Sequence, residues 1–241
     1  RTASVIVNQV TTTGPASTLL GPLEVFGSPA SVIISNPNGV SVNGLSLTNA
    51  TGLVLTTGTP QFLTGVGGTP TDFANAGSLA YDVRSGNVSI SGPAGVNGPG
   101  AGIEGTVGNI DVIAQTISLN APLRADQAAR QANSFKAASG IAEQTRSLWM
   151  KFIACIMAAV TYLLPGVLIL DEVAHAAPIV DPRAPIPFQP TITQTTTGVP
   201  AVNIAAPNAN GISVNSYQSF NVDSNGLVLN NSLTSVSYTH L

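Results

Sequence analysis

The amino-acid sequence predicts an all-β protein in which short strands stack or pack face to face. From residue 1 to residue 120, runs of Val, Ile and Leu alternate with Asn, Ser and Thr and are separated by Gly, Pro and Asn. This alternation suits strands with one buried face, and helical periodicity is absent from the stretch. Charged residues make up 8% of the chain and apolar residues 44%, a combination that favours folding over disorder.

The predicted strands are short and closely spaced. In chain order they are SVIVNQV (4–10), LEVFG (23–27), SVIIS (31–35), VSVNGLSL (40–47), GLVLTT (52–57), LAYDV (79–83), NVSIS (87–91) and NIDVIAQTISL (109–119). Strands of this length and spacing fit either a β-solenoid or a β-sandwich.

Two weak internal similarities favour the solenoid. The segment NPNGVSVNG at 36–44 resembles PNANGISVNS at 207–216, and TGLVLTT at 51–57 resembles NGLVLNN at 225–231. Stacked coils produce self-similarity of this kind because each coil repeats one structural unit.

The middle of the chain has a different composition. Residues 124–149 gather Ala, Gln, Arg and Lys and predict a helix or linker, with 128–149 as the junction. Residues 150–176 have the layout of a secretory signal peptide: a start-like Met, one Lys and an apolar run. Together these segments predict helix over about 124–164.

The predicted signal peptide ends in a small-x-small sequence, and we expect cleavage at Ala174, Ala176 and Ala177. A membrane-spanning helix is the alternative, but Pro165-Gly166 interrupts the apolar run and two acidic residues follow it. Because a cleavable leader belongs at the start of a protein, its position after 149 residues suggests that two coding segments are joined here.

Beyond the leader, prolines predict an extended stretch after Ala177 before β-structure resumes near Val202. The last six residues, VSYTHL at 236–241, resemble the translation of a transposon adapter used in shotgun sequencing libraries. We therefore expect the natural sequence to end near Ser235.

The composition argues against nucleic-acid binding and against common catalytic chemistry. Residues 1–123 carry only two basic residues, Arg1 and Arg84, whereas nucleic-acid binding needs clustered Lys and Arg. The two histidines, His175 and His240, lie in the predicted leader and the predicted adapter, which leaves none for a triad or zinc site. A polysaccharide lyase would need acidic residues clustered around Arg84, and the acidic residues are scattered.

Residues 198–231, GVPAVNIAAPNANGISVNSYQSFNVDSNGLVLNN, resemble the opening of the filamentous hemagglutinin type secretion domain of two-partner secretion adhesins and contact-dependent inhibition proteins. Residues 1–127 resemble the later part of the same domain, with LLGPLEVFG at 19–27, the NPNG motif at 36–39 and IDVIAQTISLNAPLRADQ at 110–127. In the family the part at 177–235 comes first, so the order here is inverted, and a stretch that usually holds an NPNL motif is missing.

The resemblance implies a right-handed parallel β-helix with N-terminal cap strands. It implies 1–127 as later coils and 177–235 as the cap and first coils. The implied partners are the general secretion machinery and an outer-membrane β-barrel transporter with POTRA domains, which delivers the protein through the periplasm to the cell surface. Host or neighbouring-cell receptors would bind regions outside this chain. The implied function is non-enzymatic, and the alternative is a carbohydrate-active β-helix enzyme.

The residues singled out for function are those of turns and of the cap. Asn36, Pro37, Asn38 and Gly39 predict a tight turn, since Asn and Gly accept positive φ and Pro fixes its own φ. The resemblance adds recognition of this turn by the transporter. It also implies a cap motif of Asn208, Asn210, Gly211, Asn215, Tyr217, Phe220, Asn221, Asn230 and Asn231. No catalytic residue, metal ligand or cofactor is expected.

Overall fold

The computed structural model describes residues 1–92, 102–105, 107–124 and 177–233, and its regular structure is almost entirely β. The strands are β1 (Val5–Val10), β2 (Ser17–Leu19), β3 (Pro22–Gly27), β4 (Ala30–Ser35), β5 (Val40–Asn43), β6 (Leu45–Thr48), β7 (Ala50–Thr56), β8 (Thr59–Leu63), β9 (Ser78–Asp82), β10 (Asn87–Ser91), β11 (Ile103–Gly105), β12 (Ile110–Ile113), β13 (Thr116–Leu119), β14 (Leu123–Arg124), β15 (Ile179–Val180), β16 (Thr191–Gln194), β17 (Pro200–Asn203), β18 (Ile212–Ser219) and β19 (Leu227–Asn231). Short 3-10 helices lie at Phe73–Asn75 and Ile186–Phe188. No helix in these residues is long and apolar enough to cross a membrane.

Residues 1–124, which we call the coil segment, wind around three sheets. The first sheet contains β1, β4, β7 and β12, the second β2, β5, β10 and β13, and the third β3, β6, β11 and β14. Neighbouring strands of these coils pair in parallel. Because successive strands visit the three sheets in turn, each circuit is one coil of a parallel β-helix. The predicted β-helix fold is confirmed.

Side chains stack in columns inside the coils. In the first sheet, Ile6 pairs with Val32 and Val32 with Leu53, and all three are fully buried in one apolar cluster. Since alternate residues of a strand point to opposite faces, the same register places every second side chain inside. Each such aliphatic side chain contributes roughly 1.5–3 kcal/mol by burial.

Residues 177–233, which we call the cap segment, precede the coil segment in space although they follow it in the chain. Strand β18 pairs in parallel with β1, from Val5↔Ile212 to Val10↔Tyr217. Strand β19 pairs in parallel with β3, and Leu19 forms a bridge to Val222 between these ladders. The cap segment therefore supplies the coil that lies before β1, β2 and β3.

The parallel winding ends inside the cap segment. Strand β15 pairs antiparallel with β18 at the edge of the first sheet, and β16 pairs antiparallel with β17 at the edge of the third. An antiparallel edge strand cannot serve as the first strand of another parallel coil, so these two strands finish this end of the β-helix.

The internal similarities noted in the sequence do not mark equivalent coil positions. VSVN after the turn at 36–39 forms β5 in the second sheet, whereas ISVN after the turn at 208–211 begins β18 in the first. GLVLTT lies in β7 of the first sheet and GLVLNN in β19 of the third. Equivalent coil residues would stack in the same sheet. The repeated unit is instead a turn followed by a strand, used at different corners.

One predicted strand of the stack lies outside it. LAYDV forms β9, which pairs antiparallel with β8 in a hairpin between β7 and β10. The hairpin covers the outer face of the first sheet, where Phe62, Phe73 and Phe188 form an aromatic cluster with ring centroids 5.0–6.3 Å apart. The hairpin and the cap segment thus share one apolar cluster.

The predicted helical segment at about 124–164 begins with a residue that the structure assigns differently, because Arg124 ends strand β14. The rest of that segment, the junction at 128–149, the leader at 150–176 and the adapter-like residues 236–241 lie outside the described residues.

Candidate recognition site: the Asn-Gly turns and the cap

The NPNG sequence forms the turn between β4 and β5. The backbone N–H of Gly39 donates to the carbonyl of Asn36 at 2.9 Å, and the N–H of Asn38 donates to Asn36 Oδ1 at 2.9 Å. Gly39 has a φ of 125°, a conformation that residues with a side chain rarely adopt. The sequence suggests positive φ for Asn36, Asn38 and Gly39. Asn36 and Asn38 keep negative φ, so Gly39 alone of the three adopts it.

The amides of the NPNG turn bind the previous coil. Asn36 is 1% exposed, and its Nδ2 donates to the Pro15 carbonyl at 3.2 Å and to Ser17 Oγ at 3.1 Å. Asn38 Nδ2 donates to the Thr12 carbonyl at 2.9 Å. Both side chains therefore hold the connection between β1 and β2, and their hydrogen-bonding groups face the protein.

The proline of the turn faces a shallow cavity. Pro37 is half-buried and borders a cavity of about 170 Å³ at the ends of β1 and β4. The lining residues are Gln9, Val10, Thr11, Ser35, Pro37, Thr59 and Pro60. Of the four motif residues, Pro37 and Asn38 are the ones that retain solvent contact.

A second turn of the same kind lies in the cap segment. The N–H of Asn210 donates to Asn208 Oδ1 at 3.0 Å, the N–H of Gly211 donates to the Asn208 carbonyl at 3.1 Å, and Gly211 has a φ of 83°. Asn208 Nδ2 donates to the carbonyls of Phe73 and Ala76 at 2.7 and 2.9 Å, and Asn210 Nδ2 donates to Ala76 at 2.9 Å. These two cap residues bind the hairpin that covers the first sheet.

A third turn was not singled out from the sequence. At 223–226, the N–H groups of Asn225 and Gly226 donate to Asp223 Oδ1 at 2.8 and 3.0 Å, and Gly226 has a φ of 96°. The shared pattern is Asn or Asp, any residue, Asn and Gly before a strand. A search that allowed Asp in the first position would have found it, because Asp and Asn form the same side-chain turn.

Two cap asparagines join the segments through backbone groups. Asn231 is 1% exposed, and its Oδ1 accepts from the N–H of Ala3 at 2.7 Å while its Nδ2 donates to the carbonyls of Ala3 and Ser28, both at 2.8 Å. Asn221 Oδ1 accepts from the N–H and the hydroxyl of Thr18 at 2.9 and 3.1 Å. Both residues orient the coil that follows the cap.

Inside the capped end, polar and aromatic groups replace aliphatic ones. Asn215 Oδ1 accepts from the N–H of Ala205 at 2.8 Å, and the Tyr217 hydroxyl donates to Asn8 Oδ1 at 3.2 Å. The rings of Tyr217 and Phe220 lie 5.0 Å apart, both fully buried, and burial raises the pKa of Tyr217 well above its usual value. These residues fill the core.

Asn230 bonds within the cap segment. Its Nδ2 donates to Asn203 Oδ1 at 2.7 Å, and its Oδ1 accepts from the N–H and the hydroxyl of Ser232 at 3.1 and 2.8 Å. The residues of the predicted cap motif therefore do not gather in one exposed cluster. Most of them lie where the cap segment meets the coil segment, whereas Asn230 bonds to Asn203 and Ser232 within the cap.

A carboxylate of the cap also reaches the coil segment. The Thr11 hydroxyl and the backbone N–H of Arg183 donate to Asp181 at 2.6 and 2.9 Å. These hydrogen bonds, chiefly the one from Thr11, hold the pKa of Asp181 below its usual value. Asp181 thus fixes β15 to the end of β1.

Of the predicted cleavage residues, Ala174 and Ala176 lie outside the described residues. Ala177 is exposed and directly precedes the buried Pro178.

The acidic cluster that a lyase would need around Arg84 is not found in the described ranges. Arg84 is exposed and pairs with Asp82 at 2.7 Å. Burial and, to a smaller extent, Asp111 raise the pKa of Tyr81 to about 12. Within those ranges no group of three or more His, Cys, Asp or Glu side chains could hold a metal ion.

Comparison with known proteins finds relatives in bacteria. The chain is 42% identical over 127 residues to "Filamentous hemagglutinin" of Bordetella pertussis, covering 53% of this chain and 3% of that protein. It is 35% identical over 123 residues to "Toxin CdiA" of Escherichia coli, covering 50% of this chain and 3% of that protein. The chain thus spans a small fraction of the length of these relatives. The crystal structure of a filamentous hemagglutinin secretion domain has a TM-score of 0.38 and 35% identity, covering 56% of this chain and 46% of that one.

The family comparison covers both parts of the β-helix. The family model described as "TPS secretion domain" matches residues 1–147 and 176–239. These two ranges contain the coil segment and the cap segment, which β18 and β19 join to β1 and β3 in space. The chain belongs to the TPS secretion domain family.

Proposed function

We propose that this chain is the part of a large bacterial surface protein that directs its export through an outer-membrane β-barrel transporter. The main support is that the family match extends over both segments, which together make one capped β-helix. The general secretion machinery delivers the protein to the periplasm, where POTRA domains of the transporter bind it. At the cell surface, regions beyond this chain bind host or neighbouring-cell receptors and act in adhesion or contact-dependent inhibition.

The proposed role needs no catalytic chemistry. Arg84 is held in an exposed ion pair with Asp82 and has no second carboxylate bonded to it among the described residues. A lyase requires a basic group that takes a proton from an enclosed substrate. An exposed arginine stays protonated and is poorly suited to that step.

The proposed boundaries follow the two segments. Residues 177–235 are the cap and first coils, 1–127 are later coils, 128–149 are a linker or junction, and 150–176 are a leader cleaved by signal peptidase before Ala177. Cleavage there would leave the cap intact, because Ala177 is exposed and the bonds of β15 begin beyond it. In the order of this chain it would also separate residues 1–127 from the cap, so the exported domain stays whole where the leader and the cap precede the later coils, as the family resemblance implies. Mass spectrometry of the exported protein should find an N-terminus at Ala177, and a retained 150–176 would contradict this assignment.

The NPNG turn suggests when the transporter binds. In the folded domain the amides of Asn36 and Asn38 are bonded to the coil before them. A partner that recognises these amides must bind the chain before the turn closes. The transporter would therefore bind an unfolded chain, and folding outside the cell would bury the signal and oppose its return.

Binding of purified POTRA domains tests this order. Chain freshly diluted from urea should bind, whereas refolded chain should bind at least about a thousandfold more weakly, because the binding-competent fraction of a folded domain is that small. Surface plasmon resonance with immobilised POTRA domains measures both. Equal affinity for the two preparations would contradict recognition before folding.

A matched pair of variants tests the residues. Asn36→Ala combined with Asn38→Ala should abolish binding by the freshly diluted chain. Asn225→Ala should not, although Asn225 holds the same position in the turn at 223–226 as Asn38 holds at 36–39. Because both are measured before folding, a difference in fold stability cannot produce this result. Loss of binding in both variants would mean that turn asparagines contribute generally and that NPNG is not the signal.

A further inference from the structure

The junction between the cap and coil segments is built entirely from contacts between residues far apart in the chain. Strand β18 pairs with β1 over six residue pairs and β19 pairs with β3 over five. Between these ladders, the N–H of Leu20 donates to the Val222 carbonyl at 2.8 Å and the N–H of Val222 donates to the Thr18 carbonyl at 2.9 Å. All three sides of the β-helix are therefore joined without a peptide bond at the junction.

Side chains reinforce the junction on every side. Asn231 bonds both backbone groups of Ala3, Asn208 bonds the hairpin, and Asp181 bonds Thr11. The partners in these bonds are 132 to 228 residues apart for Asn208 and Asn231. The same register that stacks one coil on another also fixes how the two segments meet.

The junction is also continuous in the core. Tyr217, Phe220 and Leu229 of the cap segment belong to the same buried cluster as Ile6 and Leu23 of the coil segment. Without the cap, these coil residues would lose their neighbours on one side, and β1 and β3 would become unpaired parallel edges. Such edges bind another strand readily.

We propose that the face formed by β1, β2 and β3 is a binding surface for residues 177–233, whichever molecule carries them, so that a second copy of this chain can supply the cap. In a solenoid each coil interacts with its immediate neighbours, and the ladder and core at this junction are complete without the connection. Exchange of an identical element between copies is a known route to dimers. In the uncut chain the tethered cap has the advantage, because covalent tethering makes its binding intramolecular.

Cutting the full folded chain tests the surface directly. A protease site inserted between residues 128 and 149 allows the purified chain to be cut after folding. The two pieces should co-elute in size-exclusion chromatography at micromolar concentration. After unfolding in urea and removal of the urea, they should show the same unfolding transition as before. Separation of the pieces at that concentration would overturn the proposal.

Exchange between copies is then measured with a tag. Cut chain carrying an affinity tag on its cap is mixed with cut untagged chain, unfolded in urea and refolded. The tagged cap should retain about half of the untagged coil segment, because random pairing of equal amounts places half of those segments on tagged caps. No retention of untagged coil segment would show that a cap does not bind the coil segment of another copy, and would overturn the proposal.

A matched pair of variants links exchange to the junction. Asn231→Ala should weaken retention of the coil segment at least about tenfold, since it removes bonds to Ala3 and Ser28 that cross the junction. Asn225→Ala should retain the coil segment as well as wild type does. Asn225 lies in the same cap, but among the described residues its hydrogen bond is the one from its backbone N–H to Asp223. Equal retention by both variants would contradict the assigned surface. Neither measurement involves the transporter, so failure here leaves the proposed export function untouched.

Discussion

The two ends of the described β-helix are finished differently. At the capped end, the first six residues of β18 and all of β19 are buried, and Tyr217 and Phe220 are fully enclosed. In the last described coil, β12 and β13 contain no buried residue, and Ile113 and Leu119 are 37% and 38% exposed. The more exposed strands β12 and β13 are richer in apolar residues than β18 and β19, so sequence hydrophobicity alone does not distinguish an end from a stacking surface.

Polar side chains in the interior distinguish the capped end from the coils that follow it. In one column of the first sheet, Asn215 and Asn8 occupy the capped end and Ile34 and Leu55 occupy the following coils. Asn215 binds the N–H of Ala205, a backbone group for which an aliphatic side chain has no acceptor. A buried unpaired N–H costs about 1–3 kcal/mol. Asparagine at this position therefore allows the backbone at Ala205 to pass over the core and close this end of the β-helix.

The largest expected effect compares one residue from each end. Phe220→Ala should destabilise the domain by about 3–5 kcal/mol, because it removes a fully buried ring and leaves a cavity beside Tyr217. Leu119→Ala should cost less than about 1 kcal/mol, because this side chain remains partly in water. Urea unfolding followed by circular dichroism measures both. Similar losses would mean that the last coil is as well packed as the cap.

A smaller loss of stability distinguishes hydrogen bonds across the junction from those within a turn. Asn231→Ala should destabilise by about 1–3 kcal/mol, since the buried N–H of Ala3 loses its acceptor. Asn225→Ala should change the free energy of unfolding by less than about 0.5 kcal/mol, because this side chain is exposed and no hydrogen bond recorded among the described residues joins it to the coil segment. Thermal unfolding of both variants and of wild type measures these two changes in stability. An Asn231→Ala variant as stable as wild type would show that water replaces the side chain there.

Much of the β-helix could be predicted from sequence because most of its strands carry apolar residues at alternate positions. Seven of the eight predicted strand segments lie in the coils, and the residues on one face of each, such as Ile6, Val32 and Leu53, form the core. The segment LAYDV also alternates, yet it forms β9 in the outer hairpin. Alternation reports one buried face and does not say whether that face meets the interior or the outside of a sheet.

The turns could be predicted from sequence, but their partners could not. The Asn-Gly pattern at 36–39 and 208–211 identifies tight turns, since only glycine adopts the required φ without strain. That Asn208 binds Ala76, 132 residues away, depends on the hairpin crossing the first sheet. Local patterns define local bonds, whereas the bonds that close the cap depend on how distant segments meet.

The smallest expected effect is a pH dependence confined to the capped end. The pKa of Asp181 is lowered in the folded state, chiefly by the Thr11 hydroxyl, so this contact stabilises the fold at pH values above the unfolded pKa of about 3.9. The contribution is lost as the pH falls through the lower folded pKa. Thr11→Val should therefore lower Tm at neutral pH, and the gap from wild type should shrink on acidification.

Thr12→Val is the matched control for that pH dependence. The Thr12 hydroxyl also joins the coil segment to the cap, but it donates to the carbonyl of Gln218 at 3.0 Å, a group that does not titrate. Its gap from wild type should stay constant while that of Thr11→Val closes. If the two gaps changed in parallel between neutral pH and acid, the pH dependence would belong to the capped end as a whole, and Asp181 would not be its source.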